Sequence, residues 1–142
     1  MQFILRIKAW IYACGMKKIA KILDYCIRIL FKCDFPSSVE FGGGLRLIEG
    51  GKGTVIHYRT KLGENVIIGK NVTIGSRNQV GPPMVGNNVK IGDNACLLGD
   101  IKVGHNVEIA QGSVVLQDLP DGSQVSGVPA SINSMKDDKK NE

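Results

Sequence analysis

Most of the patterns that would assign a chain to a class at sight are missing here. The four cysteines, Cys14, Cys26, Cys33 and Cys96, form no CxxC pair and no disulfide-framework spacing. That fits a reducing compartment and makes a cytoplasmic location the default expectation. The two histidines are too few for a three-histidine zinc site within one subunit, so no metal is expected. In the apolar N-terminus the longest uncharged run, Ala9 to Met16, is too short for a transmembrane helix, and no small-residue cleavage site completes a signal peptide. A sequence pI of about 9.1 comes without any nucleic-acid-binding motif, so nucleic acid is not an expected partner.

What is present is uneven. The 142 residues suffice for one domain with a buried core. Nearly all of the 18 glycines fall after residue 40, where the chain must turn often. The net charge of +5 is concentrated at the start. Residues 1–33 hold Arg6, Lys8, Lys17, Lys18, Lys21, Arg28 and Lys32 against Asp24 alone, a balance of +6, which leaves −1 for the remainder.

From Ile56 onward a large aliphatic residue recurs every six positions: Ile56, Leu62, Ile68, Ile74, then Val85, Ile91, Leu97, Val103, Ile109 and Val115. The phase slips once between 74 and 85, marking "SRNQVGPPM", residues 76–84, as a loop that leaves the regular coil. A small residue usually follows each aliphatic, and four positions after it comes Val66, Val72, Val89, Ala95, Ile101, Val107 or Ser113. A period of six suits neither a helix nor a simple amphipathic strand. It predicts a solenoid of short strands in which three hexads make one coil and the aliphatics stack inward. A β-sandwich with regular turns would repeat at wider spacing.

Residues 1–33 differ, with apolar positions at helical spacing (Ile4, Ile7, Ile11, Ile19, Leu23, Cys26, Leu30) and Gly15 separating two helices. The expected organisation is an amphipathic helical segment over 1–33, a β-helix domain over 34–130 and a polar tail over 131–142. The basic, apolar N-terminal segment leans toward an anionic membrane surface, which would make the protein peripheral on the inner face of a membrane. Packing of the helices on one another or on an oligomer is the alternative.

The hexads, together with "CDFPSS", "GGKGTVIH" and the closing "GVPA", resemble the hexapeptide-repeat acyltransferases, most closely the serine acetyltransferase-like proteins common in bacterial polysaccharide clusters. The resemblance covers about residues 33–130. It implies a mainly β fold, a single-stranded left-handed parallel β-helix, which is an exception to the right-handed crossover rule. It implies a homotrimer with grooves between adjacent β-helices, and acetyl-CoA as the co-substrate for acetylating a hydroxyl. The carbonic anhydrases that share the fold need the zinc site that two histidines cannot build.

The family's general base is a histidine just before the first coil, oriented by an aspartate fifteen residues upstream. Asp34 stands at the aspartate position, and the count from it reaches Glu49, where "EGG" replaces the expected "HGG". A second family histidine has no counterpart in the rewritten loop, where Arg77 is the only substitute for the neighbouring arginine. An ordinary carboxylate is a weaker proton acceptor than imidazole by roughly 3 kcal/mol. If Asp34 and Glu49 lie side by side, neither ionises freely and the gap narrows; if Lys52 pairs with Glu49, it widens.

His57, at a corner after the inward Ile56, is another candidate catalytic group, whereas His105 is expected to be exposed. By resemblance, Gly75, Ser76, Asp93, Ala110 and Gln111 are candidate contacts for the CoA moiety, with "GVPA" closing over its nucleotide end. Coil geometry alone also accounts for the small residues among them. Two functions stay open on the sequence: an acetyl-CoA-dependent O-acetyltransferase acting on a small molecule or saccharide, and a catalytically silent trimer used as a binding or scaffold module. N-acylation of an amino sugar would change only the acceptor.

Overall fold

In a computed structural model, residues 2–135 are described. Among them, two helices, α1 (Gln2–Ala13) and α2 (Lys17–Phe31), are followed by fourteen short strands. The helices are broken where expected, at Gly15, whose φ of +83° is unfavourable for residues with a side chain. The strands are β1 (Glu40–Phe41), β2 (Arg46–Leu47), β3 (Val55–Ile56), β4 (Lys61–Leu62), β5 (Ile67–Ile68), β6 (Thr73–Gly75), β7 (Met84–Val85), β8 (Lys90–Ile91), β9 (Cys96–Leu98), β10 (Lys102–Val103), β11 (Glu108–Ile109), β12 (Val114–Val115), β13 (Ser123–Gly127) and β14 (Ala130–Met135).

They assemble into three sheets, β1-β4-β7-β10, β2-β5-β8-β11-β13-β14 and β3-β6-β9-β12. Every pairing of these strands is parallel except the final hairpin of β13 with β14. The fold is thus a three-sided parallel solenoid. All ten residues of the hexad series are at most 5% exposed, and the seven that follow them four positions later are equally buried. All but Ser113 of these form one continuous column with Leu45, Phe35 and Val39 at the N-terminal end.

Register shows how each coil is wound. Lys90 lies against Glu108 and Cys96 against Val114, so one regular coil is the length that three hexads demand. Arg46 instead faces Ile67, so the first coil is longer than three hexads, and the added positions form the turn around Glu49. Thr73 faces Cys96, a still longer coil, and its excess lies in the loop between β6 and β7, where the hexad phase slips.

Two local rules hold the coils in contact. Asn65, Asn71, Asn88, Asn94 and Asn106 take left-handed corner positions, φ +53° to +60°, which asparagine tolerates better than most residues. Two of them also bond along the stack, the amide of Asn65 to Asn88 and that of Asn71 to Asn94, each at 3.2 Å. The glycine that ends a strand is a close-approach residue: a Cβ on Gly92 would lie 2.6 Å from the Gln111 nitrogen of the next coil.

The C-terminal boundary differs from the sequence reading. Residues 131–135, placed in the polar tail, form most of β14, which pairs antiparallel with β13 and satisfies its otherwise open backbone edge. The remainder of that segment, 136–142, lies outside the described residues.

Candidate active site

Because the coils stack in register, residues meet by column. Carrying the register of β2 on β5, which sets Arg46 against Ile67, forward to Glu49 leads to Lys70. The contact is there: Lys70 Nζ lies 3.4 Å from Glu49 Oε1. One coil further the Lys70 backbone N–H donates to Asp93 Oδ1 at 3.0 Å, and the Gly112 N–H donates to the Asp93 carbonyl at 2.9 Å. Glu49, Lys70, Asp93, Ala110 and Gln111 therefore lie along one corner edge of the solenoid.

The turn that presents Glu49 is unusual. Glu49, Gly50, Gly51 and Gly53 all have positive φ, +48°, +71°, +72° and +69°. For the glycines this is inexpensive; for Glu49 it is a conformation costing on the order of 1 kcal/mol that the surroundings must impose. The turn closes over Cys33. A Cβ on Gly51 would come within 3.1 Å of the Cys33 Sγ and 3.0 Å of Leu47, and the Gly53 N–H is tied to the Lys32 carbonyl at 2.9 Å. Burial pushes the Cys33 thiol up to about 11; Lys8 opposes that shift and Asp34 adds to it. Cys33 is thus a neutral packing wedge beneath the turn rather than a nucleophile.

Asp34 is fixed through its backbone. Its N–H donates to Thr54 O at 2.8 Å and its carbonyl accepts from the Ile56 N–H at 2.9 Å, extending the β3 sheet by one bridge. Its carboxylate faces Arg28 Nη1 at 3.9 Å, on the exposed side of α2. Of the two carboxylates that the sequence suggested as a pair, Asp34 faces Arg28 and Glu49 faces Lys70. Both are part-exposed, with side-chain exposures of 40% and 51%. Lys52, the expected partner of Glu49, is replaced in that role by Lys70. Only the longer register of the first coil, invisible in a pattern of hexads, reveals it.

His57 sits at the other edge of the β3-β6-β9-β12 sheet. It is half-buried, its ring stacks on Tyr58 with centroids 4.5 Å apart, and its Nδ1 accepts the Arg59 N–H at 3.3 Å. Its own N–H bonds to Ile74 O at 2.8 Å, which brings Gly75 and Ser76 beside it. The candidate residues thus fall into two columns that this chain alone does not join: Glu49, Asp93, Ala110 and Gln111 at one corner, His57, Gly75 and Ser76 at the next. The exposed His105 accepts the Asn87 N–H at its Nδ1, 2.8 Å away, a corner-stacking role.

Steric need sets Gly75, the one glycine among the candidate CoA contacts, apart from the other glycines that follow an inward aliphatic. A Cβ on Gly69, Gly86 or Gly104 would come within 2.7 Å of the backbone of the next coil, so packing demands glycine at each. At Gly75 the nearest atom would be Leu98 Cδ2 at 3.7 Å, and φ is ordinary, so neither packing nor conformation requires glycine there. Asp93 is committed to the corner ladder through Oδ1. Ala110 borders an open groove of about 490 Å³ that runs past Gly92 and Gln124 to Asn133 of β14. A second cavity of about 630 Å³ lies between Tyr12 of α1, Tyr58 and Arg59 beside His57, and Gly81 and Pro82 of the inserted loop.

Comparison with known proteins bears on this geometry. The model of the bacterial transferase hexapeptide (six repeats) matches residues 82–117. A serine acetyltransferase of Mycobacterium tuberculosis is 32% identical over 130 residues, 89% of this chain and 56% of that protein. Serine acetyltransferase of Brucella abortus in complex with coenzyme A superposes with a TM-score of 0.87 at 33% identity, covering 94% of this chain and 54% of that one. That of Neisseria gonorrhoeae in complex with serine gives 0.84 at 36%, covering 92% and 54%. The chain spans about half the length of the relatives it matches. With its buried hexad column and three parallel sheets, the chain carries the bacterial transferase hexapeptide repeat, and over about half of their length it is similar in sequence and fold to serine acetyltransferases.

Proposed function

We propose that the protein is an acetyl-CoA-dependent O-acetyltransferase whose acceptor is serine or a similarly small hydroxyl compound. The observation that carries this is the turn at residues 48–53. The lengthened first coil and four left-handed positions hold Glu49 at the end of the corner column, the place where the resemblance expects the catalytic base. The likeness to serine acetyltransferases crystallised with coenzyme A and with serine supports both the donor and the acceptor class.

In this reading the acceptor hydroxyl oxygen attacks the thioester carbonyl while its proton passes to the Glu49 carboxylate. The tetrahedral intermediate collapses with cleavage of the C–S bond, and the proton held on Glu49 goes to the departing CoA sulfur. The groove bordered by Ala110 and the unobstructed backbone at Gly75 are where an extended cofactor approaches the solenoid, and Gln111 and Ser76 are the polar groups next to them. His57 lies at the neighbouring corner, so a site using both columns needs two chains, which supports a homotrimer with the site between β-helices.

The test is product analysis by mass spectrometry after incubation with acetyl-CoA and a panel of acceptors, serine first, then amino alcohols and monosaccharides. O-acetylated serine or a close analogue is expected; acetyl groups found only on amines would reject the reading. Sedimentation showing a stable monomer that still turns over would reject the shared site.

A further inference from the structure

The N-terminal helices carry a surface that the rest of the described fold leaves in water. Along α2, Ile19, Ile22, Cys26 and Ile29 follow one another at three and four residues and so lie on one stripe; all four are exposed, Ile22 to 63% and Ile29 to 58%. On α1, Phe3 is 75% and Trp10 64% exposed. A surface of this kind marks an interaction site.

Its charge indicates what covers it. Asp24, the single acid among residues 1–33, is taken up by Lys8, whose Nζ lies 2.6 Å from Asp24 Oδ1. Lys8 is buried and also donates to the Phe35 carbonyl. The charges left exposed on the segment are all of one sign: Arg6, Lys17, Lys18, Lys21 and Lys32, with Arg28 turned towards Asp34. Two copies meeting through this face would oppose like charges, whereas an anionic bilayer satisfies the cations and the apolar stripe together. No helix among the described residues is long and apolar enough to cross a membrane. α2, with 15 residues, is about 22 Å long, shorter than a bilayer core.

We propose that the α1–α2 hairpin is an interfacial membrane anchor that lies flat on an anionic lipid surface, with the isoleucine stripe of α2 and Phe3 and Trp10 of α1 in the headgroup region and the lysines at the phosphates. The idea is independent of the reaction, and its test needs no turnover. Trp10 is the only tryptophan of the chain, so its fluorescence reports on α1 alone.

The full-length protein is titrated with vesicles of phosphatidylglycerol in phosphatidylcholine, and with phosphatidylcholine alone. A blue shift of Trp10 emission, quenched by brominated acyl chains, is expected with the anionic vesicles only, and it should weaken as salt is raised. Replacing Lys17, Lys18 and Lys21 together by glutamine should weaken binding roughly 100-fold. Ile22→Ser with Ile29→Ser should lower affinity with the charge unchanged. All five side chains are exposed, so unchanged circular dichroism is expected for both variants. Equal binding to neutral vesicles, no shift in Trp10 emission, or undiminished binding by the lysine variant would overturn the proposal. So would Trp10 already shielded from aqueous quencher without lipid, with sedimentation beyond a trimer, because the stripe would then be covered by another copy.

Discussion

Replacing Gly92 and Gly75 separately by alanine tests whether the glycines after the inward aliphatics serve packing or binding. At Gly92 the new Cβ would stand 2.6 Å from the Gln111 nitrogen and 2.9 Å from the Ala110 carbonyl carbon. Both are backbone atoms of the next coil, so relief requires one coil to move against another. Overpacking of this kind costs about 1–3 kcal/mol, from which about 0.4–1 kcal/mol is recovered because alanine restricts the unfolded chain. A net loss of about 1–2 kcal/mol corresponds to a fall in Tm of roughly 2–8 °C for a chain of this size. At Gly75 the nearest atom is 3.7 Å away, so Gly75→Ala should leave Tm unchanged or slightly raised, while a methyl group on the surface assigned to CoA should weaken acetyl-CoA binding. Thermal unfolding followed by circular dichroism, together with calorimetric titration of acetyl-CoA, measures both. A Gly92→Ala protein as stable as the parent would refute the packing argument. A Gly75→Ala protein with unchanged acetyl-CoA affinity would remove Gly75 from the site.

Three further outcomes are expected. Cys33 titrates near 11 when folded and near 9 when unfolded, so the stability that its neutral thiol contributes is complete below about pH 9 and is lost as pH rises towards 11. The loss approaches roughly 3 kcal/mol, and denaturant unfolding across that range should show it for the parent and not for Cys33→Ala. Lys8→Ala removes the cationic partner of Asp24 and the donor to Phe35 O; because Asp24 is partly wet and keeps its bond from Ser37 Oγ, the expected cost is about 1–3 kcal/mol in urea unfolding, and no measurable loss would refute a structural role for the pair. Asn94, at φ +60°, should accept glycine with little change in Tm, whereas Asn94→Val should destabilise by about 1–2 kcal/mol; equal stability of the two would contradict the left-handed corner.

The aliphatic series is readable in the sequence because each hexad forms one side of the coil, so the repeat in the chain is the repeat in space. The phase slip between Ile74 and Val85 likewise marks the inserted loop. The turn at Glu49 is visible as a motif, but its neighbour is not. Lys70 reaches Glu49 only because the first coil is longer than three hexads, and a count of hexads that begins at Ile56 contains no information on that length. For the same reason Lys52, three residues further along the same turn, is the partner that the sequence suggests. β14 leaves no hydrophobic signal, because its burial pattern has one inward residue, Ala130, followed by five exposed ones. Backbone pairing to the open edge of β13 forms that strand. The segregation of Asp93, Ala110 and Gln111 from Gly75 and Ser76 follows from which corner each occupies, and a one-dimensional pattern treats all corners alike.

The most direct test of the account is the rate of CoA thiol release from acetyl-CoA in the presence of serine or the best acceptor in the panel, measured for the parent, Glu49→Gln and Glu49→His. The account predicts that glutamine, similar in shape but unable to take the proton, lowers kcat at least about 100-fold with acetyl-CoA affinity retained, and that histidine preserves or raises the rate. If Glu49→Gln turns over as fast as the parent, Glu49 is not the base and the assignment of the turn at residues 48–53 as the catalytic centre fails.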